Sequence, residues 1–302
     1  MTRILPFTRT RSSDAGVAAL LYGASIEVMP RTAAKIRDVR ALLPEGTRIY
    51  VAHIDGTPID DMVATVERMS REGFPVMPHV PARSVSSHEA LDTWLRRYRD
   101  AGATGALVLA GGAPEIRGPF SSSMELLETG LFDKLGYTRL HIAGHPEGNR
   151  DIDPDGGETA AMAAARWKAG FAERTGAQMA LVTQFAFEAR PVLDWADRLA
   201  EAGVDLPIHL GVAGPAKLQT LIKYAMACGV GPSIRVLQRR AADLSKLLMP
   251  FTPEALLAEI AAARGPASRI EAIHFFPLGG ITASAEFLTS ARDMGGQHAS
   301  HA

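Results

Sequence analysis

Cysteine is almost absent: Cys228 is the only one in 302 residues. A single thiol excludes an internal disulfide and a cysteine-based metal cluster, and it fits a reducing compartment. As a small apolar residue, Cys228 is expected to be buried. Net charge is also lacking, because 32 Lys and Arg stand against 33 Asp and Glu. With no basic field, neither nucleic acid nor an anionic membrane surface is an expected partner. Long hydrophobic runs are missing too. The opening residues 1–7 are too short and interrupted for a signal segment, and no apolar stretch approaches the ~18 residues that span a bilayer. The expected location is the cytoplasm. Neither Gly-x-Gly-x-x-Gly nor a P-loop occurs, so a Rossmann-type nucleotide site lacks its signature.

The chain is 47% hydrophobic and 22% charged, too apolar for disorder. Short apolar runs at 24–29, 48–53, 75–79, 105–110, 140–144, 179–185, 207–211 and 273–276 alternate with helical patterns such as 60–72, 88–101, 158–174 and 191–202. Strands alternating with amphipathic helices imply βαβ units and a parallel sheet. Eight such units predict a single (β/α)8 TIM barrel, with a doubly wound sheet as the alternative. Gly73, Gly102 and Gly203 stand where helices should stop, at positions suited to a left-handed cap. No Pro/Ser linker divides the chain, so residues 1–302 read as one domain with an N-terminal segment to about residue 18 and a flexible tail at 295–302. The long stretch 229–265 carries helical patches at 235–248 and 253–263, an inserted helix plus a barrel helix before the last strand.

In a parallel barrel the reacting groups come from strand C-termini, where the βα loops form the broad concave face. The ends of the runs are Glu27, His53, His79, Ala110-Gly111-Gly112, His145, Gln184, Gly211 and Phe276. Glu27 sits between Ile26 and Val28 and therefore faces opposite to them. Partial enclosure in a barrel mouth is expected to raise its pKa by desolvation and make it a general acid. Three histidines at strand ends add weight to a functional face. No His-x-His pair or carboxylate cluster with ligand spacing accompanies them, so no metal is expected. Gln184, followed by Phe185 and Phe187, suits a heterocycle that pairs with the amide and stacks on a ring, although an amide bracing the loop fits equally.

The segments Ser25-Ile26-Glu27-Val28-Met29-Pro30, Pro78-His79-Val80, Val182-Thr183-Gln184-Phe185-Ala186-Phe187, Pro207-Ile208-His209-Leu210-Gly211-Val212 and His274-Phe275-Phe276-Pro277-Leu278 fall in the order of one known family. Together they resemble methylenetetrahydrofolate reductase, a flavin-dependent barrel of one-carbon metabolism, from about residue 24 to 288. The resemblance implies an oxidoreductase that interconverts 5,10-methylenetetrahydrofolate and 5-methyltetrahydrofolate with FAD and NAD(P)H. Glu27 would protonate the folate and open its five-membered ring. Gln184, Phe185, Phe187, Phe276 and Leu278 would bind the tetrahydrofolate derivative. The flavin would lie against His53, His79, Ala110, Gly111, Gly112, His145, Asn149 and Lys168, and a homodimer or homotetramer is implied.

Four departures accompany the resemblance. Ala110-Gly111-Gly112 replaces the family's Arg-Gly-Asp, and His145-Pro146-Glu147-Gly148-Asn149 replaces Tyr-Pro-Glu-x-His. Lys168 stands a turn earlier than the family's lysine, and Gly279-Gly280 replaces Asn-Arg. They open two alternatives: the same folate reaction by direct hydride transfer without flavin, and a folate-binding protein with no redox role.

Overall fold

A computed structural model describes residues 11–227, 237–238 and 250–299. Cys228, residues 1–10 and most of the 235–248 patch lie outside the described residues. The strands β1 (Ser25–Val28), β2 (Arg48–Val51), β3 (Val76–Pro81), β4 (Gly105–Leu109), β5 (Arg139–Gly144), β6 (Gln178–Ala186), β7 (Ile208–Ala213) and β8 (Ile270–Phe276) close in sequence order into one barrel. Every neighbouring pair is parallel, including β1 with β8, where Ser25 lies opposite His274.

The chain enters the barrel through helix α1 (Arg11–Leu21), a short turn α2 (Pro30–Ala33) follows β1, and α3 (Ile59–Arg71) and α4 (His88–Asp100) follow β2 and β3. Two short helices, α5 (Ser123–Glu128) and α6 (Leu131–Lys134), follow β4. Next come α7 (Thr159–Thr175), α8 (Ala189–Glu201) and α9 (Leu218–Ala227) after β5, β6 and β7. Helix α10 (Glu254–Ala263) precedes β8 and α11 (Ile281–Ala299) follows it. Gly73, Gly102 and Gly203 take φ of 91°, 93° and 73°, the left-handed stops expected after α3, α4 and α8.

The described part of the N-terminal segment forms α1, which packs on α11, α10 and β8 and buries Val17, Leu20 and Leu21. The small, polar stretch at 295–299 continues α11 to Ala299, since extending a formed helix is far cheaper than nucleating one.

The main apolar core is an annulus between sheet and helices. Ile26, Val28, Ile49, Val51, Val76, Val80, Leu181, Leu210 and Phe275 face outward into it with Leu91, Leu95, Val192 and Leu257 from the helices. The opposite residues of the strands point along the barrel axis, where a small separate cluster forms from Tyr50, Met77, Leu107 and Val182.

Helix α7 lacks a side-chain cap at Glu158, and the buried Asp153 supplies one from the preceding loop. Its Oδ1 accepts from Ala160 N at 2.8 Å and its Oδ2 from Ala161 N at 2.9 Å. Asp153→Ala strands both donors and is expected to cost about 1–3 kcal/mol, read as a lowered urea midpoint with unchanged slope.

Candidate active site

Beside the small apolar cluster, the barrel axis carries a column of polar rings. Tyr50, His79, His141, His209 and His274 are all at least nine-tenths buried. Tyr50 Oη lies 2.5 Å from His141 Nδ1, and burial drives the phenol's pKa far up, so the hydroxyl donates and the imidazole accepts. His141 meets His209 edge to face with ring centroids 4.7 Å apart. Burial leads in lowering the pKa of each, with His209 at about 3 and His141 well below its ordinary value.

At the upper end of this column stands Glu27. Its Oε2 lies 3.4 Å from His79 Nε2 and 3.9 Å from His274 Nε2, and its side chain is 19% exposed. The expected rise in the Glu27 pKa is corrected: the pKa is lowered. Desolvation does act upward, but the His274 ring facing the carboxylate and the charge interactions with His79 and His274 outweigh it. His79 is itself held at about 4, first by burial, against the opposing pull of Glu27. Near neutral pH Glu27 is therefore a carboxylate beside a neutral His79. Tyr50 packs its ring edge-on against His274 at 4.6 Å, and Phe276 packs on His274 at 4.8 Å, so the imidazole is clamped between two aromatic rings.

Gln184 reaches solvent at the C-terminal end of β6 because the β6–β7 register shifts between Val182 and Phe185. At that irregularity Gly211 N donates to Thr183 Oγ1 at 2.9 Å, and Thr183 Oγ1 donates to the Gln184 carbonyl at 2.7 Å. Gly211 is required there, since a Cβ would lie 2.4 Å from the Thr183 carbonyl oxygen. The shift also sets the surroundings of Phe185 and Phe187, the expected stacking residues. They are 1% and 8% exposed and pack with Ala213, Leu221 and Phe251. Phe276 and Leu278 are partly exposed at the rim of the same cluster.

The residues assigned to a cofactor divide into four places. His79 joins Glu27, as described. His53 instead stacks on Trp94 of α4 at 5.2 Å. His145 receives a hydrogen bond from Asn149 at 3.5 Å, and burial, then the charge of Lys168, pushes its pKa to about 4. Lys168 is 6% exposed, and burial lowers its ammonium to about 8. Among the described residues no hydrogen bond or ion pair holds it. After β4, Gly111 turns with φ of 90° against Pro81, while nothing lies within 4 Å of a Cβ built on Gly112. The loops here are tied together: Arg83 N donates to the Ala110 carbonyl, Arg83 pairs with Asp151 at 3.1 Å, and Arg117 with Asp55 at 2.7 Å. No group of three or more His, Cys, Asp or Glu among the described residues has a geometry to hold a metal.

No family model matches the chain. Similar solved structures include a putative phosphonomutase from Burkholderia cenocepacia J2315, at 13% identity and TM-score 0.48 over 97% of this chain and 100% of that one. A dihydropteroate synthase from Thermus thermophilus aligns at 16% identity and TM-score 0.43 over 88% and 91%. A 2,3-dimethylmalate lyase of the PEP mutase/isocitrate lyase superfamily aligns at 12% identity and TM-score 0.45 over 97% and 89%. Likenesses this distant carry no argument about chemistry, which rests on the site itself. Also among the described residues, no helix is long and apolar enough to cross a membrane.

Sequence reading placed Glu27 and His79 at the mouth but gave no role to Ser25, Tyr50, His141, His209 or His274. The available signal was parity. His274 alternates with the outward Ile273 and Phe275, and His141 with Leu140 and Ile142, so both had to face the axis with Glu27.

Proposed function

We propose that this barrel is an enzyme interconverting 5,10-methylenetetrahydrofolate and 5-methyltetrahydrofolate, with the hydride exchanged directly with NAD(P)H. The observation that carries the reading is the Glu27 carboxylate at the barrel mouth, faced at one oxygen by two imidazoles 3.4 and 3.9 Å away. Gln184, exposed at the end of β6, and Phe276, half-buried at the end of β8, are placed to meet a pterin ring. In the reducing direction Glu27 delivers a proton to N10 of the folate and the five-membered ring opens to an N5 iminium. Hydride from the nicotinamide then reduces the exocyclic carbon to methyl, consuming one NAD(P)H and one proton. In the reverse direction the Glu27 carboxylate accepts the proton as the ring closes.

The loop after β4 gives a flavin ring few contacts, since Ala110, Gly111 and Gly112 carry no side-chain donor and Arg83 and Arg117 pair with Asp151 and Asp55; this favours direct transfer. The open space beside Gly112 favours a second flat ring from the nicotinamide at the mouth. Lys168, which has no hydrogen bond or ion pair among the described residues and lies near His145, suits a phosphate of the dinucleotide.

The test is the absorbance spectrum of protein purified without added cofactor, followed by an anaerobic assay of NAD(P)H with methylenetetrahydrofolate. The expected result is a colourless protein that forms methyltetrahydrofolate and oxidises NAD(P)H in equal amounts. A yellow protein, or turnover only after FAD is added, overturns direct transfer. No turnover in either condition overturns the enzymatic reading and leaves a folate-binding barrel.

A further inference from the structure

We propose that His274 is a positioning residue for Glu27, and that Ser25 sets the tautomer with which it acts. The proposal rests on the reading of Glu27 as the proton-transferring group. Because β1 and β8 close the barrel with Ser25 opposite His274, the Ser25 hydroxyl lies 2.9 Å from Nδ1, and both residues are fully buried. The other ring nitrogen, Nε2, faces Glu27 Oε2.

A carboxylate is acceptor-only, so the nitrogen turned toward it must carry the hydrogen. A neutral imidazole with hydrogen on Nε2 has a bare Nδ1, and the rotatable Ser25 hydroxyl donates to it. The order is Ser25 O–H to Nδ1, then Nε2–H toward Oε2. With no exposure to water, neither nitrogen has a solvent partner that could invert this order. Tyr50 and Phe276 pack on the ring and hold its plane.

The gap of 3.9 Å is longer than a hydrogen bond, and catalytic contacts commonly tighten only when substrate is bound. His79 reaches the same oxygen from β3. The titratable groups around the pair are thus Glu27 from β1, Tyr50 from β2 and His79 from β3. His141 and His209 lie further down the axis, on β5 and β7. Both imidazoles address Oε2, which leaves Oε1 for the proton exchanged with the folate. His274 holds that proton-bearing oxygen toward the mouth without touching the substrate.

Two measurements test this, one independent of activity. In protein labelled with 15N-histidine, and with the His274 signals assigned by their loss in His274→Gln, His274 is expected as the Nε2–H tautomer with an accepting Nδ1. Ser25→Ala should convert it to a tautomer mixture. An Nδ1–H tautomer in the wild type, or no change in Ser25→Ala, overturns the proposal. In steady-state assays Ser25→Ala should lower kcat about tenfold with KM changed less than about twofold. Its pH–rate limb should be displaced, and Ser25→Thr should restore the rate. Equal rates and superimposable pH profiles for wild type and Ser25→Ala would also overturn it. A wild type with the expected tautomer but no folate turnover refutes the proposed function and leaves the Ser25–His274 arrangement standing.

Discussion

Glu27→Gln is expected to lower folate turnover by about 10²–10⁴-fold in both directions, with the fold and substrate binding retained. The amide has nearly the shape of the carboxylate and can present its oxygen to the same two imidazoles. It cannot carry a proton to N10 or take one away. Because the Glu27 pKa is lowered in the free protein, the wild type should work as a base without loss through neutral pH. In the reducing direction its rate should climb as the solution is acidified from pH 8 to 6, where more of the carboxyl is protonated. The variant should lose that climb. Initial rates with methylene- and methyltetrahydrofolate over this range, together with a thermal melt, make the check. Wild-type rates in the variant would reduce Glu27 to a structural group.

Acidification is expected to unfold the protein cooperatively near pH 5. His79 and His145 are held at about 4 and His209 at about 3, with His141 lower than its ordinary value as well, each chiefly by burial. All four shifts have one sign. Above about pH 6.5, the unfolded value, both states are neutral and stability is complete. Between pH 6.5 and 4 the unfolded chain takes up protons that the folded chain refuses, so stability falls with pH. Each such histidine contributes about 1.4 kcal/mol per pH unit well inside that window, so four remove about 5 kcal/mol per unit. Set against a typical total of about 5–15 kcal/mol, this reaches the folding limit after about one to three units. The depressed Glu27 adds its loss only below its unfolded value of 4.5. Far-UV circular dichroism from pH 8 to 4 reads the transition, and His209→Gln should move the midpoint down. A chain still folded at pH 4 would mean that water reaches these rings.

The barrel was legible because its signals are local. Each apolar run became a strand within a few residues of its expected ends, and the glycines at 73, 102 and 203 marked helix ends through backbone sterics alone. Glu27 was legible by the same logic, as the one charged position in the first apolar run, at a strand tip. Its electrostatics were not, because the lowering comes from His79 and His274, respectively 52 and 247 residues away in the chain. The packing of Phe185 and Phe187 was not legible, because the register shift at Val182/Phe185 breaks simple alternation and turns the aromatic rings into the cluster beneath α9. Helix α1 was missed since its partner surface is α11, at the far end of the sequence.

The placement of imidazoles along the axis separates cohesion from reactivity within one barrel. The annulus of aliphatic side chains outside the sheet bears the work of holding the chain together. The inner column is left as a set of fixed dipoles that need little reorientation when charge moves at the mouth. The two roles still meet in one place, because the imidazoles that set proton affinity at the mouth are the same groups whose depressed pKa values tie folding to pH.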